Sequence, residues 1–213
     1  IGSGAGSVVT TGGANVMIGQ AAGGTTSIGS LNVFVGEASG AHNDEGHYNV
    51  YIGEDAGLST ENGQGNTFLG QRAGRQVRAG EHNVAIGRNA LNSDSSSTVT
   101  HTVAIGDSSL YALQSGAHNT AIGSSSQANT TEGNANTSLG FHTLRNNTSG
   151  SGNVAVGNLA MTSNYSGNDN IAIGDSSLIY GNGNANIGIG SRSLKTTLSA
   201  GQNIAVGHQS MEY

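Results

Sequence analysis

An apolar residue followed by glycine recurs along this chain at an almost fixed interval. The pairs are Ile1-Gly2, Ile18-Gly19, Val35-Gly36, Ile52-Gly53, Leu69-Gly70, Ile86-Gly87, Ile105-Gly106, Ile122-Gly123, Leu139-Gly140, Val156-Gly157, Ile173-Gly174, Ile189-Gly190 and Val206-Gly207. Successive glycines are separated by 17, 17, 17, 17, 17, 19, 17, 17, 17, 17, 16 and 17 residues. A fixed period of this size is the mark of a stacked repeat, in which each unit buries its apolar side chains against its neighbours. Without the period, the composition would read as low complexity: 36 Gly, no Pro, no Cys, no Trp and 9% charged residues. A disordered segment has no physical reason to hold such a register.

Counting from each anchor glycine fixes the repeat. Four residues before it stands Asn: Asn15, Asn32, Asn49, Asn66, Asn83, Asn119, Asn136, Asn153, Asn170, Asn186 and Asn203, with Thr102 the exception. Three residues before that Asn there is usually a second Gly, as at Gly29, Gly46 and Gly63. Between Asn and the anchor lies a [VIT]-x-[ILV] triplet, which alternates as a short strand does and puts both flanking apolar residues on one face. The glycines supply turns. The expected fold is all-β: a parallel β-solenoid (β-roll) of about twelve 17-residue coils forming one repeat domain over residues 1–213. A coil of this length has room for two short strands and two turns. At about 4.8 Å per coil the rod would be roughly 60 Å long. The asparagines are expected to bond to one another along the axis, as side-chain amides do in cross-β ladders. Helical repeats would need good helix formers in place of phased Gly. Calcium-binding rolls need a nine-residue period with phased Asp. Hexapeptide solenoids and Thr-faced ice-binding solenoids do not fit this spacing either.

Two positions vary together. Two residues before the anchor stand Met17, Phe34, Tyr51, Phe68, Ala85, Ala104, Ala121, Ser138, Ala155, Ala172, Gly188 and Ala205. Four residues after it stand Gly23, Gly40, Gly57, Gly74, Leu91, Leu110, Gln127, Leu144, Met161, Leu178, Leu194 and Met211. Every bulky residue in the first series pairs with Gly in the second, and the exchange happens once, between the coils anchored at Gly70 and Gly87. Interiors are packed to near-constant density, so two positions that trade volume share one buried space. The triplet's middle residue points away from its flanking neighbours. Apolar groups therefore lie on both faces of the strand, and only one face can fill the coil's own core. The other calls for a homo-oligomer of parallel rods, best a homotrimer; the alternative is a wider monomeric coil holding both sets.

The units NVAIG at 83–87, NTAIG at 119–123 and NVAVG at 153–157 resemble the head repeats of YadA-like trimeric autotransporter adhesins and, equally, repeat stretches of bacteriophage tail fibres. The later endings, Ala90-Leu91 and Ser-Leu at 109–110, 177–178 and 193–194, are more similar to the fibre variety. The resemblance covers essentially the whole chain. It implies a left-handed parallel β-roll with three chains about one axis. It also implies a non-enzymatic fibre segment of a virion tail that mediates attachment to the host cell surface, displayed alternatively on a bacterial surface as an adhesin head. The implied partners are a host glycan or protein receptor and other virion tail proteins. The chain starts inside a repeat, which reads as a segment of a longer fibre.

Candidate chemistry is sparse. A polysaccharide-degrading tailspike would need paired carboxylates in a groove, whereas Asp44-Glu45 and Glu54-Asp55 are sequence neighbours, and adjacent side chains on a strand or turn usually point apart. No cofactor motif is present; the glycines are phased to turns and not to a phosphate loop. His82, His101 and His118 each precede the Asn position and form a column that in a trimer could bring imidazoles together on a metal ion; the plainer reading is solvated turn residues. Tyr111 and Tyr165 are candidate glycan contacts, with edge packing on the next coil as the alternative. Seven Lys and Arg, scattered through a chain of net charge −6, give no nucleic-acid surface. No run approaches the roughly 20 apolar residues of a membrane span.

The shared space can be tested by exchange. Tyr51→Ala should cost on the order of 3 kcal/mol by leaving a cavity, and adding Gly57→Leu should recover part of the loss. A double variant melting no higher than Tyr51→Ala would show that the two positions do not share a space.

Overall fold

The computed structural model describes residues 1–93, 98–196 and 199–212. Each coil contributes one three-residue strand, from β1 (Val16–Ile18) and β2 (Val33–Val35) to β12 (Ile204–Val206). The twelve strands form a single parallel sheet whose spatial order is the chain order. Register is uniform: Val16 lies opposite Val33, Tyr51 opposite Phe68, and Ala172 opposite Gly188 although that coil is one residue short. The molecule is a β-solenoid of about eleven turns.

Among the described residues the return half of the coil does not form the second strand that the coil length allows. Its residues two and four places after the anchor adopt left-handed backbone throughout, for example Asp55 at φ 56° and Gly57 at φ 58°. An extended run cannot pass through such residues. The return path is a chain of turns, with isolated parallel bridges at Gln64, Glu81, Thr100 and Ala117. It is still bonded coil to coil: Gly57 N–H donates to Ala73 O at 2.9 Å, and Gly74 N–H to Ala90 O at 2.9 Å.

Two features set the spacing between coils. The first is the anchor glycine. At Gly53, φ is 137°, and an added Cβ would sit 2.5 Å from the carbonyl oxygen of Gly70 in the next coil. Neither the backbone angle nor the inter-coil gap admits a side chain. The second is the buried Asn column. Asn49 Oδ1 accepts the backbone N–H of Asn66 at 2.9 Å and its Nδ2 at 3.2 Å, while Asn49 Nδ2 donates to Gly63 O at 2.7 Å. The same pattern repeats from Asn32 to Asn83 and again from Asn119 to Asn203. Each amide satisfies backbone groups that would otherwise be buried unpaired at a cost of about 1–3 kcal/mol. The relay pauses at Thr102. Its N–H is held by Asn83 Oδ1 at 3.0 Å, but its hydroxyl turns to Thr100 O at 3.1 Å.

The volume exchange has a direct geometric cause. The triplet's middle residue points inward, and a Cβ added at Gly57 would lie 2.5 Å from the Tyr51 ring; at Gly40 it would lie 2.8 Å from Phe34. Phe34, Tyr51 and Phe68 form a buried stack, with ring centroids 5.1 and 4.9 Å apart. From Leu91 onward the following turn fills the same space. Those residues keep the left-handed backbone of the glycines they replace, at φ 51° for Leu91 and 50° for Leu178. That conformation costs an L-residue about 1–2 kcal/mol, offset by the roughly 1.5–3 kcal/mol of burying a Leu side chain.

The exchange does not divide the core, since one apolar cluster runs from Ala22 through Phe68 and Leu91 to Ala121. The division falls later, before a second cluster that begins at Leu144. Between them lies a polar layer in which Ser138 bonds Ser126 at 2.6 Å and Gln127 Nε2 at 2.8 Å. Within the first cluster the Tyr51 hydroxyl is buried without a hydrogen-bond partner of good geometry. Burial pushes its pKa well above the ordinary value, outweighing the opposing influence of Thr60 and Asn66 beside it.

The pause in the relay is correctable. Thr102→Asn should supply the missing amide to the coils on either side and raise stability by about 1 kcal/mol, read as a higher melting temperature; an unchanged or lower value would show that the column is not an energetic unit.

Candidate functional site: the outward face of the sheet

The residues flanking each inward-pointing position face outward. They make two columns of twelve: one from Val16, Val33 and Val50 to Ile204, the other from Ile18, Val35 and Ile52 to Val206. Of these 24 positions, 21 carry Val, Ile or Leu; Thr67, Thr120 and Thr137 are the rest, and none is charged. They are half-buried or exposed along the full length, with Ile52 at 37%, Leu69 at 43% and Ile173 at 40%. The wider monomeric coil, with both sets inside one chain, is therefore not what this chain forms. At two side chains wide and twelve coils long, the stripe presents roughly 600–1,000 Å² of apolar surface, above the 300–600 Å² of the largest patch on a typical monomer. Parallel sheets are ordinarily covered on both faces; here the coil interior covers only one.

A polar rim borders the stripe. The residue after each anchor is Glu37, Glu54, Gln71, Arg88 or Asp107 along one stretch, and four of these side chains pair along the rod axis. Gln71 Nε2 donates to Glu54 Oε2 at 2.8 Å, and Arg88 bonds both oxygens of Asp107 at 2.9 and 3.1 Å. Asp55 is taken by Arg75 at 3.2 Å. Glu54 and Asp55 are thus each engaged by different partners in a neighbouring coil and do not converge on a common point.

On the opposite rim the histidines do align. His82 and His101 stack with ring centroids 5.1 Å apart, and His101 and His118 at 5.4 Å, with interplanar angles of 21° and 14°. Stacked rings carry their nitrogen lone pairs in parallel planes, so the nitrogens of one chain's column do not converge on one ion. Among the described residues no group of three His, Asp or Glu side chains has metal-binding geometry. All three histidines have left-handed backbone, φ 52–61°, as does Tyr48 in the same column.

The exposed aromatics do not form a shared platform. Tyr111 and Tyr165 are 45% and 49% exposed but lie three coils apart and at different places in the repeat. Phe141, directly after an anchor, stacks on His142 at 3.8 Å. Burial, with a smaller push from Arg145, lowers the His142 pKa. The feature that the sequence does not single out is an amide-lined cleft near residues 182–202. Its one sequence signal is the 16-residue interval between Gly174 and Gly190.

No helix among the described residues is long and apolar enough to cross a membrane. Comparison with protein-family models, curated proteins and solved structures finds no match to this chain.

Proposed function

We propose that this chain is a non-enzymatic segment of an adhesive fibre, a bacteriophage tail fibre that attaches to the host cell surface, assembled as a homotrimer of parallel rods. The observation that carries the proposal is the long apolar stripe, Val, Ile or Leu at 21 of its 24 positions, with its polar rim. Apolar centre and polar border are the anatomy of a protein interface. Its extent is comparable to the roughly 800 Å² that one partner contributes to an interface of standard size. A second and third copy of the same chain offer matching columns at the same axial repeat, so that coil meets coil along the whole length. Closed cyclic symmetry leaves no copy with an uncovered stripe. The regular stack suits a stiff shaft: each coil is bonded to the next through the sheet, the return path and the Asn column, and the repeat is interrupted by two residues at most. The receptor is a host glycan or surface protein, and the fibre's other partners are virion tail proteins.

Light scattering on purified protein should give three times the chain mass of 21.2 kDa. Ile52→Lys, Ile122→Lys and Ile173→Lys together should lower that mass while the far-ultraviolet spectrum is retained. A monomeric wild type, or a triple variant that keeps its mass, would contradict the assembly. Labelled rods should bind intact bacterial cells of a susceptible strain; failure to bind any strain of a broad panel would remove the attachment role.

A further inference from the structure

We infer that the corner of the short coil is a binding cleft for a neutral, hydroxyl-rich ligand, a saccharide of one or two units; the inference rests on the adhesive reading above and gives it a site. In several coils the return path turns at a corner where two or three consecutive N–H groups converge on one carbonyl of the next coil. Ser27, Ile28 and Gly29, for example, all donate to Asp44 O at 3.1–3.2 Å. The coil between Gly174 and Gly190 has 16 residues, and the missing one falls in this corner, between Asn182 and Gly183. The inward residue that precedes it, buried as Thr60, Val77, Asn147 or Asn164 in other coils, is here Gly181.

The following coil is not shortened. Ser199 stands where the short coil has no counterpart, and Gly201 follows without a side chain. A cleft of about 390 Å³ opens there, lined by Asn182, Asn184, Ser199, Gly201 and Gln202 among others. That volume lies in the range of small-molecule sites.

The lining has a definite chemistry. It carries three carboxamides and a hydroxyl, and none of the described lining residues is charged. Two of the amides are held in place by the preceding coil. Asn182 Oδ1 accepts the N–H of Tyr165 at 2.6 Å, standing in for the corner carbonyl, and Asn184 Oδ1 accepts the N–H of Asn168 at 2.8 Å. With those oxygens engaged, the NH₂ groups are what the amides offer a ligand, which matches the acceptor oxygens of hydroxyl groups and disfavours a cation. Tyr165 occupies the corner position of Asn182 one coil earlier and is half exposed. Its backbone N–H, and not its ring, is what touches the lining, through Asn182 Oδ1.

Saturation-transfer NMR on the assembled protein with a panel of neutral mono- and disaccharides tests this. The wild type should bind at least one member. Inserting one Ser between Asn182 and Gly183 restores a 17-residue coil, closes the cleft, and should weaken that binding at least tenfold without lowering the melting temperature. Asn184→Ala, which removes a lining amide, should weaken it as well. Binding that survives the insertion overturns the cleft while leaving adhesion standing. Failure of the wild type to bind any panel member also overturns the cleft. Adhesion of rods to cells, measured on the same preparations, decides the broader reading separately.

Discussion

Everything in this molecule hangs from the contact between one coil and the next along the axis. A 17-residue coil with a three-residue strand has almost no fold of its own. Its backbone groups are satisfied by the neighbouring coil: through the ladder, through the turns of the return path, and through an amide that presents its oxygen to one backbone donor and its nitrogen to one backbone acceptor. Asn is suited to this task because it is short, neutral and carries both functions. Asp in a buried column would place like charges about one coil apart, and Thr102 shows that a hydroxyl does not reach the same partners. The anchor glycine follows from the same constraint, because the gap it faces is occupied by the next coil's carbonyl.

With the axial spacing fixed, the interior is a narrow column of constant cross-section, and its content is a problem of volume. Two solutions appear. Aromatic side chains from the strand stack on one another while glycine leaves room opposite. Alternatively, Leu or Met enters from the turn over a small strand residue. The second solution carries backbone strain at each coil and recovers it through burial. The two interiors join without a seam at Phe68 and Leu91, whereas polar Gln127 and Ser138 part the core.

Much of this was legible in the sequence. The period fixed the coil, the Asn spacing pointed to the axial ladder, and the paired variation of Tyr51 with Gly57 and Ala172 with Leu178 identified one shared volume. The second strand is where sequence reasoning went astray, because coil length alone does not reveal backbone handedness. A signal was there: Gly23, Gly40, Gly57 and Gly74 occupy the position later held by Leu, and a glycine so phased marks a left-handed turn that its replacements must also adopt. Alternation showed that the strand has two apolar faces without showing which is inside. The turn residues decide that, since only the middle residue meets the side chain four places after the anchor. The cleft was the least legible feature, because a one-residue deletion looks like a slip in the count until the corner it removes is seen.

The outward stripe links the architecture to its use. Chains that fill their interior from one strand face are left with the other, and the flanking Val and Ile are as regular as the core itself. Coil-to-coil bonding, inward volume exchange and outward assembly all depend on the Asn column holding register. Residue-resolved amide hydrogen exchange tests that most directly. The backbone amides of Asn49, Asn66, Asn153 and Asn170 should be among the slowest in the protein, exchanging only with global unfolding. Rates at those four positions comparable to the exposed turn residues, such as Asn62 and Ser115, would contradict the account.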